Sequence, residues 1–559
     1  MAEAAAHTRA GRHDAAAQAL RKAAAYRPDD PAILTMLGSA ELAAGRAEAA
    51  VALYRQALDI APKLVPAAFN LGLAEQRLGR LEAAAAAYER ALAADPALVE
   101  AWSNLGVLMT DLGRCGPAVE AFGKALALRP ADARIQRQLA RALRRCGRPA
   151  EAVAVCREAA RLEPQAAESW SSLGLALIEA GEPEQAVPVL SRSLSMRPAE
   201  PRVWNNLGFA QHRRGDQEAA IFAYRRALAL DPGFAEAHLN LAIALLLTGR
   251  MAEGWREFEW RWRDPQQAGA RPAFAAPAWE GGPLDGRTIL LRAEQGIGDC
   301  FQFVRYAPLL AARGARVVLE CPPGMAGVLA GAPGVAQTVE RGGALPAFDC
   351  YIPMMSLPLF CGPGLDRIPA DVPYLRPGGT PSDGVAARTV AAAAGLRVGL
   401  VWAGNPRHLN ERNRSIGLEP LAPLAAVPGC TLFGLQVGER AADLARFDWA
   451  RAGWARSVTD LSPGLADWRD TAAVLAELDI LVTVDTAIAH LAGAMGRPVW
   501  LLLPHVPDFR WLLDRTDSPW YPTMRLFRQR RRGAWDEPVA EAAAALAAAA
   551  ACRASGAGG

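Results

Sequence analysis

A carboxylate at the start of a predicted helix is the first candidate for chemistry in this sequence. The run Glu294-Gln-Gly-Ile-Gly-Asp299 follows a short β-branched stretch and precedes a helical pattern. Gly296 and Gly298 let backbone amides approach a ligand, and Asp299 stands where the helix begins. The Asp299 carboxylate either caps the helix, the commoner role of Asp at such a position, or faces a cleft as a general base.

A second candidate is an anion site at another predicted helix N-terminus. Asp485, Thr486 and Ala487 follow an apolar strand pattern and open a helix that contains His490. The amides at Thr486 and Ala487, the threonine hydroxyl and the helix dipole are suited to holding a diphosphate, while Asp485 orders the turn. The alternatives are a capping role for Asp485 and a locally hydrogen-bonded core histidine at position 490.

Short strands that alternate with helical segments would position both motifs. The patterns predict strands at Thr288–Ala293, Arg316–Cys321, Val398–Trp402, Leu432–Leu435, Ile480–Val484 and Val499–Leu503, with a helix over Asp299–Gly314. Two Rossmann-like lobes satisfy this alternation. We expect a linker at 265–286, an N-terminal lobe at 287–377, a C-terminal lobe at 378–540 and an Ala-rich tail at 541–559.

The first half of the chain is periodic. Prolines recur every 34 residues, at Pro28, Pro62, Pro96, Pro130, Pro164, Pro198 and Pro232. Glycines keep the same step, at Gly11, Gly45, Gly79, Gly113, Gly147, Gly181, Gly215 and Gly249. A glycine at each of these positions ends one helix and allows the turn into the next. The repeated unit is therefore predicted to be a helix, a turn and a helix.

Each unit also carries a small residue and a bulky one that would pack its two helices together. A large residue precedes Leu-Gly in the first helix, as in Trp102–Leu105–Gly106, and pairs such as Ala50 with Tyr54 recur in the second. This pattern resembles the tetratricopeptide repeat family over residues 1–264, in eight units. The resemblance implies a right-handed superhelix with a concave surface that binds protein or peptide segments.

An asparagine precedes Leu-Gly or its equivalent in four units, at Asn70, Asn104, Asn206 and Asn240. Amides at equivalent positions would face one side of the array and could hold a peptide backbone. The repeats of O-linked N-acetylglucosamine transferase look similar, with asparagines that line the inner surface. The alternative is that each amide caps or solvates its own helix.

Two aromatic clusters remain outside these patterns. In unit eight, Gly254, Trp255, Phe258, Trp260 and Trp262 replace the small residues, and we interpret them as a junction with the next domain. Near the C-terminus, Trp511, Trp520, Tyr521 and Phe527 precede arginines at 528 and 530–532. This second cluster suits either sugar or nucleotide contact or a crossover helix that packs back on the first lobe, the interpretation we favour.

Composition narrows the classes of function and location. The formal net charge is +3 with arginines spread along the chain, so nucleic acid is not an expected partner. The nine cysteines form no CxxC pair or zinc-like spacing and are predicted to be reduced, mostly buried thiols. No signal-peptide pattern and no membrane-spanning run is present, which predicts a cytoplasmic protein.

The two α/β motifs, in this order, look like those of the bacterial lipopolysaccharide heptosyltransferases, glycosyltransferases of B-type fold. The resemblance implies that Asp299 after Gly298 is the catalytic carboxylate, and that Asp485, Thr486, His490 and Ala492 belong to the segment that binds the nucleotide diphosphate. The loop Asn410–Ser415 lies where the family keeps a basic residue, and Arg414 is the match we prefer. Ala487 and Arg414 depart from the family's usual Gly and Lys.

These observations predict an α-helical superhelix plus two Rossmann-like lobes of a B-type fold, the first on the acceptor side and the second on the nucleotide-sugar side. The function expected is metal-independent, inverting transfer of a sugar from a nucleotide-diphosphate donor, without a cofactor, to an acceptor recruited by the repeats. The alternatives are a nucleotide-sugar-binding protein without turnover and a pure assembly scaffold. No GxxxxGK[ST], GxSxG or HExxH motif supports other enzyme classes.

Overall fold

Antiparallel helix pairs make up the first of two units into which the chain divides, Met1–Gln211 and His212–Gly559. The structure, a computed structural model, describes residues 2–264, 274–377, 384–406, 410–449, 451, 454 and 458–556. Parts of the predicted linker (265–273), of the segment between the lobes (378–383) and of the tail (557–559) lie outside these described residues. The two units are described separately.

The first unit consists of helices of 13 or 14 residues that follow the predicted period, after a shorter first helix. Their bounds are Ala2–Arg9 (α1), His13–Tyr26 (α2), Pro31–Ala43 (α3), Ala47–Ile60 (α4), Val65–Arg77 (α5), Leu81–Ala94 (α6), Val99–Asp111 (α7), Cys115–Leu128 (α8), Ala133–Arg145 (α9), Pro149–Leu162 (α10), Ala167–Glu179 (α11) and Pro183–Met196 (α12). Helix α13, Pro201–Arg214, contains the division between the units.

The periodic residues have the structural roles that their spacing predicts. All eight periodic glycines have positive φ angles, between 69° at Gly11 and 93° at Gly215, so each adopts the left-handed conformation that ends a helix. Periodic prolines offer their carbonyl oxygens to a tryptophan of the same unit: the Trp102 indole donates to Pro96 at 2.9 Å. The helix–turn–helix prediction is confirmed.

Close packing inside each pair depends on the glycine of the Leu-Gly motif. A Cβ atom added to Gly38 would lie 2.7 Å from the Tyr54 ring, and one added to Gly72 would lie 2.6 Å from the Tyr88 ring. Gly106 and Phe122 repeat this arrangement at 2.8 Å. Each aromatic ring therefore fills the space that a glycine leaves on the partner helix.

One prediction about the first unit is wrong. Cys115 and Cys146 are paired in a disulfide, with their Cα atoms 5.6 Å apart, and are not reduced thiols. They are 31 residues apart in sequence, at the turns of successive repeats, and the stacking of those repeats brings the two turns together. Five of the remaining cysteines are buried as predicted, whereas Cys361 is half-buried and Cys552 is exposed.

The second unit begins with three helices, Gln217–Leu230 (α14), Ala235–Leu247 (α15) and Met251–Phe258 (α16), and continues with a parallel α/β region. Its strands are Thr288–Arg292 (β1), Arg316–Cys321 (β2), Val335–Glu340 (β3), Cys350–Pro353 (β4), Leu396–Val401 (β5), Cys430–Gly434 (β6), Thr459–Asp460 (β7), Ile480–Val484 (β8), Val499–Leu503 (β9) and Met524–Arg528 (β10). Its remaining α-helices are Ile297–Phe303 (α17), Ala307–Ala311 (α18), Ala326–Leu329 (α19), Leu357–Cys361 (α20), Val385–Ala391 (α21), Glu411–Arg414 (α22), Ala422–Ala425 (α23), Asp443–Arg446 (α24), Trp468–Glu477 (α25), Ala487–Ala494 (α26) and Asp536–Gly556 (α27).

Two parallel sheets organise this region. The first has the strand order β3-β2-β1-β4 and the second the order β10-β9-β8-β5-β6-β7. Every ladder within the sheets is parallel, and Leu290 of β1 pairs with both Val318 and Tyr351. Numbered within its own lobe, the second sheet has the order 6-5-4-1-2-3, that of a doubly wound dinucleotide-binding sheet. The predicted α/β architecture is confirmed at this level.

The α/β region differs from the prediction in two places. The helix expected over Asp299–Gly314 consists of α17, a 3-10 turn at Val304–Tyr306 and α18, because Pro308 in the first turn of α18 lacks the N–H group that a continuous helix needs. The C-terminal aromatic cluster does not form the crossover helix that we favoured. It supplies a buried loop and strand β10, while α27 packs on the second sheet.

The last helices of the periodic region belong to the second unit because their aromatic side chains enter its core. The Trp255 ring makes edge-to-face contacts with Phe303 and Phe509, at centroid distances of 6.0 and 5.7 Å. Trp255 is 2% exposed, and it shares one apolar cluster with Ile289 and Leu291 of β1. The junction predicted from unit eight is therefore present, and the unit division precedes the predicted linker.

Candidate functional site

The candidate residues lie at the carboxyl ends of strands from both sheets. Asp485 directly follows β8, and the segment that carries Arg414 follows β5. In the second sheet, β8 and β5 are neighbours with connections that run in opposite directions, which makes the gap between them the topological switch point. Ligands of open α/β sheets bind in the crevice at such a point.

Asp299 occupies the first turn of α17 and makes contacts in two directions. One carboxylate oxygen accepts a hydrogen bond from the Gly296 N–H at 2.8 Å, so the capping role is present. The other oxygen forms an ion pair with the guanidinium group of Arg510. Burial raises the pKa of Asp299 above its usual value, although the Arg510 charge opposes this rise. Asp299 is thus both a capping residue and one half of a buried ion pair.

Arg510 is the residue that the sequence interpretation missed. It lies in the 3-10 turn Phe509–Trp511 after β9, and only 8% of it is exposed. Its Nη1 pairs with Asp508 at 2.7 Å and its Nε donates to Gln302 at 2.6 Å. Burial lowers the pKa of Arg510, but the charges of Asp508 and Asp299 outweigh burial and raise it. The available signal was its position directly after a predicted buried strand, where α/β sites collect polar residues.

Asp485 and His490 are both held in their neutral-leaning forms. Burial, followed by the negative charge of Asp508, raises the pKa of Asp485 to about 6. Burial and the positive charges of nearby arginines lower the pKa of His490 well below its usual value. The 3.9 Å approach of His490 Nε2 to Asp485 is therefore not a full ion pair at neutral pH. His490 Nδ1 lies 3.0 Å from the Tyr521 hydroxyl, which agrees with a locally bonded histidine.

Thr486 begins α26 without capping it. Its hydroxyl lies 3.2 Å from the Thr483 hydroxyl and 3.3 Å from the Val484 carbonyl oxygen, and it makes no hydrogen bond to the first turn of α26. Asp485 immediately precedes it and remains largely buried. The positive end of the helix dipole therefore lies beside Asp485 without a side-chain cap from Thr486.

The two predicted motifs are in direct contact. A Cβ atom added to Gly298 would lie 2.8 Å from the His490 ring and 3.4 Å from the Cα atom of Ala487. Gly298 therefore lets α17 pack against α26, and in this structure the space beside it is filled by protein. Gly296 keeps its place as the residue before α17, and its N–H group is bound to Asp299.

Arg414 lies on the nucleotide side of the switch point, as the sequence predicted. Its Nε donates to Glu411 at 2.9 Å, and its side chain is 14% exposed. An added Cβ atom at Gly404 would lie 2.5 Å from its Nη2, so the guanidinium group lies against the loop after β5. Its positive charge lowers the pKa values of Asp485 and His490. Arg407, in the same loop, is outside the described residues.

The structure thus collects Asp299, Arg414, Asp485 and His490 around Arg510, together with the N-terminus of α26. Two carboxylates and two arginines from four separate strand ends form one cluster of buried charge. Such a cluster suits a ligand that carries negative charge and a hydroxyl group, because arginines bind phosphate oxygens and a carboxylate accepts a proton.

The predicted asparagines do not belong to this cluster. The Asn70 amide donates to Ser39 of the preceding repeat at 3.2 Å, and Asn104 hydrogen-bonds the Tyr88 side chain. Asn206 and Asn240 are half-buried within their repeats. At Asn70 and Asn104, then, the amide joins neighbouring helices of the array.

A buried ion pair connects the last repeat to the first motif. Arg261, 1% exposed, binds Glu294 through two nitrogen atoms at 3.0 Å each, and its Nη2 also donates to Ser356 at 2.7 Å. Glu294 in turn accepts the N–H group of Met355 at 3.0 Å. This pair holds the loop that leads to Asp299 against the periodic helices.

Comparison with protein families assigns the periodic region. Tetratricopeptide repeat models match residues 1–64, 172–233 and 219–258, a TPR repeat model matches 77–113, and a further tetratricopeptide repeat model matches 133–175. The N-terminal region consists of tetratricopeptide repeats. This confirms the resemblance that the period and the Leu-Gly motif predicted.

Among curated proteins, Protein FlbA of Caulobacter vibrioides (strain ATCC 19089 / CIP 103742 / CB 15) is 28% identical to this chain over 336 residues. The match covers 55% of this chain and 54% of FlbA, so the chain spans about half the length of that relative. It reaches beyond what the tetratricopeptide repeats alone can account for, since the repeats make up less than half of this sequence.

Solved structures resemble the repeat region. YrrB, described as a TPR protein with an unusual peptide-binding site, matches 33% of this chain and 95% of its own length at 20% identity, with a TM-score of 0.29. TTC0263, a thermophilic TPR protein of Thermus thermophilus, matches 33% and 99% at 26% identity, with a TM-score of 0.27.

No helix within the described ranges combines the length and the apolar character needed to cross a membrane.

Proposed function

We propose that the α/β region is a glycosyltransferase that moves a sugar from a nucleotide-diphosphate donor to an acceptor recruited by the tetratricopeptide repeats. The observation that carries this proposal is the cluster around Arg510, where Asp299 from the first sheet meets the α26 N-terminus and Arg414 from the second. The similarity of both motifs to heptosyltransferases of B-type fold supports the same proposal.

In this mechanism Asp299 removes the proton from the acceptor hydroxyl. The acceptor oxygen attacks the anomeric carbon of the donor, and the bond from that carbon to the phosphate oxygen breaks in line with the attack, which inverts the configuration. The departing nucleoside diphosphate takes the electron pair of that bond. Arg414, Thr486 and the N–H groups of α26 stabilise its charge in a site with little water, without a metal ion or a cofactor.

Arg510 has two roles in this proposal. With the site empty of donor, it neutralises Asp299. A bound diphosphate offers Arg510 an alternative partner, because a guanidinium group has five donors and binds phosphate oxygens in pairs. Transfer of Arg510 to the donor would free the Asp299 carboxylate to act as a base.

The ion pair also supports a second candidate function, a protein that binds a nucleotide sugar without turnover. A carboxylate that stays paired with Arg510 is a weak base, and the repeats would then use the α/β region only as a sensor. The two candidates share the donor site and differ in whether Asp299 accepts a proton.

The decisive experiment compares Asp299→Asn with the unchanged protein in donor binding and in donor turnover. Asn keeps the size of the side chain, so nucleotide sugars should still raise the melting temperature, whereas turnover should fall by about 10²–10⁴-fold, the usual contribution of a general base. Asp366→Asn, at an exposed carboxylate of the same lobe, is the matched control. Equal turnover in Asp299→Asn would remove Asp299 from the role of base.

A thermal-shift panel of nucleotide sugars identifies the donor. The donor that raises the melting temperature of the unchanged protein should do so less for Arg414→Gln, because one phosphate partner is removed. If no nucleotide sugar shifts the melting temperature, both candidates fail and the chain is an assembly scaffold.

A further inference from the structure

A cavity of about 270 Å³ lies in the first unit, within the fifth repeat. Three arginines of α9 line it, Arg137, Arg141 and Arg144, together with Cys156 of α10 and Ser172 of α11. Gln138 and Ala140 complete the lining. The residues that line this cavity include no carboxylate.

The cavity exists because the fifth repeat lacks the bulky side chain that the other repeats have. Cys156 occupies the position of Tyr54, Tyr88 and Phe122 one period further along the chain. Those rings fill the space above Gly38, Gly72 and Gly106, whereas in repeat five the opposing residues are Ala140 and a small thiol. A missing ring leaves an opening between the helices that a ligand group can enter.

The same place interrupts the row of asparagines. Residues 138 and 172 are the equivalents of Asn104 and Asn206, and they are Gln138 and Ser172. Arg137, Arg141 and Arg144 are spaced so that they share one face of α9, where repeat four has Ser103, Val107 and Thr110. Repeat five therefore replaces a neutral helix face with a basic one at the position of the opening.

The arginines are fixed but not saturated. Arg137 pairs with Glu163 at 2.5 Å, Arg141 with Asp111 at 3.0 Å, and Arg144 with Glu179 at 2.7 Å. These partners orient the guanidinium groups from outside the cavity lining. Each guanidinium group has five donors, so donors remain for a ligand. The Arg137 and Arg144 side chains are 23% and 21% exposed, which reduces the screening of their charge by water.

The thiol at the base of the cavity does not compete for these donors. Burial raises the pKa of Cys156 to about 12, against the opposing charges of Arg144 and Arg137. The thiol is therefore neutral at physiological pH, and the lining is a basic one with no anion of its own.

From this arrangement we propose that the cavity of repeat five binds a carboxylate side chain in an acidic segment of a protein partner. The segment lies along α9 and α11, and one Asp or Glu side chain enters the space beside Cys156. Complementary charge selects the acidic residue, and the missing ring provides room for it. This inference concerns the repeats alone and holds whether or not the α/β region transfers a sugar.

The test measures binding of a short fluorescein-labelled peptide, in which Asp and Glu alternate with Ser and Gly, to the full chain by fluorescence anisotropy. A peptide with Asn and Gln in place of the acids is the matched ligand. The acidic peptide should bind at least about tenfold more tightly, because charge-assisted hydrogen bonds to arginine are about twice as strong as neutral ones.

Two variants locate the binding. Arg141→Gln removes one donor group, and the double variant Ala140→Gly with Cys156→Tyr restores the glycine–tyrosine pair of repeats two and three and fills the cavity. Each should weaken the acidic peptide by about tenfold or more. Arg129→Gln, which removes an exposed arginine of the neighbouring turn, should change the affinity by less than about twofold.

The double variant is expected to fold, since it recreates a packing arrangement already present at Gly72 and Tyr88. Its melting temperature and circular dichroism spectrum check this. Equal affinity for the two peptides overturns the proposal, as does unchanged affinity in both variants. Competition by inorganic phosphate at the same concentration as the free acidic peptide also overturns it, since the cavity would then be a site for small anions.

Discussion

The repeats of the first unit and the charge cluster of the second are built from contacts of different kinds. In the repeats, one contact recurs: a glycine of one helix receives the ring of the next, as at Gly38, Gly72 and Gly106. In the charge cluster each contact occurs once, and Asp299 and Arg510 are 211 residues apart in sequence. The first arrangement depends on local spacing and the second on how two sheets come together.

The charges of the two regions differ as much as their packing. Ion pairs of the repeats, such as Arg129 with Glu100 at 2.8 Å, have side chains that are 49% and 43% exposed. Arg261 and Glu294 are 1% and 11% exposed, and Arg510 and Asp299 are 9% and 14% exposed. Water can replace the partner of an exposed charge but not that of a buried one. The comparison therefore predicts different costs for the same kind of substitution.

Breaking the buried pair at the junction should have the largest effect. Arg261→Met leaves the Glu294 carboxylate buried without its partner, which should lower the free energy of unfolding by about 3–5 kcal/mol. Arg129→Met, the matched change in the repeats, should cost less than about 1 kcal/mol. Urea denaturation followed by tryptophan fluorescence measures both.

The double variant Arg261→Met with Glu294→Met is the control for this prediction. It removes both charges and keeps apolar volume, so it should recover part of the stability lost in the single variant. Equal costs for Arg261→Met and Arg129→Met would show that the two regions do not differ in the way proposed.

Overpacking a repeat should have a smaller effect. Gly106→Ala adds a Cβ atom 2.8 Å from the Phe122 ring and should lower the free energy of unfolding by about 1–3 kcal/mol. Adding Phe122→Cys recreates the Ala140–Cys156 pair of repeat five and should remove the clash, leaving the cost of the lost ring. The measurement is thermal or urea unfolding, and a Gly106→Ala protein as stable as the original would contradict the packing role of the glycine.

The smallest effect concerns pH. The folded-state pKa of Asp485 is raised to about 6, above its unfolded value, so folding favours the protonated carboxyl. The associated stability is complete below the unfolded pKa and is lost as the pH rises through about 6. Between about pH 5 and about pH 7 this group should cost about 1 kcal/mol, since one pKa unit corresponds to about 1.4 kcal/mol.

Asp485→Asn tests this expectation, because an amide does not titrate. The variant should gain stability relative to the unchanged protein as the pH rises over that interval, measured by unfolding at each pH. A constant difference between the two proteins would show that Asp485 is already ionised at the lower pH. Asp366→Asn, at an exposed carboxylate, should show no such trend.

The sequence by itself determined the repeats and much of the strand pattern. The periodic glycines have the positive φ angles expected of turns, and the strands at 316–321, 480–484 and 499–503 have the predicted bounds. Spacing determines these features because a helix and a strand each repeat over a few residues, and the same side chains recur at each repeat. It also placed Asp299, Asp485 and Arg414 after strands, since parallel sheets collect such residues at one edge.

Only the tertiary structure decided which charges meet and where a space is left. Arg510, Arg261 and the disulfide of Cys115 with Cys146 join residues from separate elements, and no local period relates them. The strand order of the second sheet brings the loops after β5 and β8 together, and the contact of Gly298 with His490 adds Asp299. The physical reason is that ion pairs and cavities depend on distances through space, which the packing of whole elements sets.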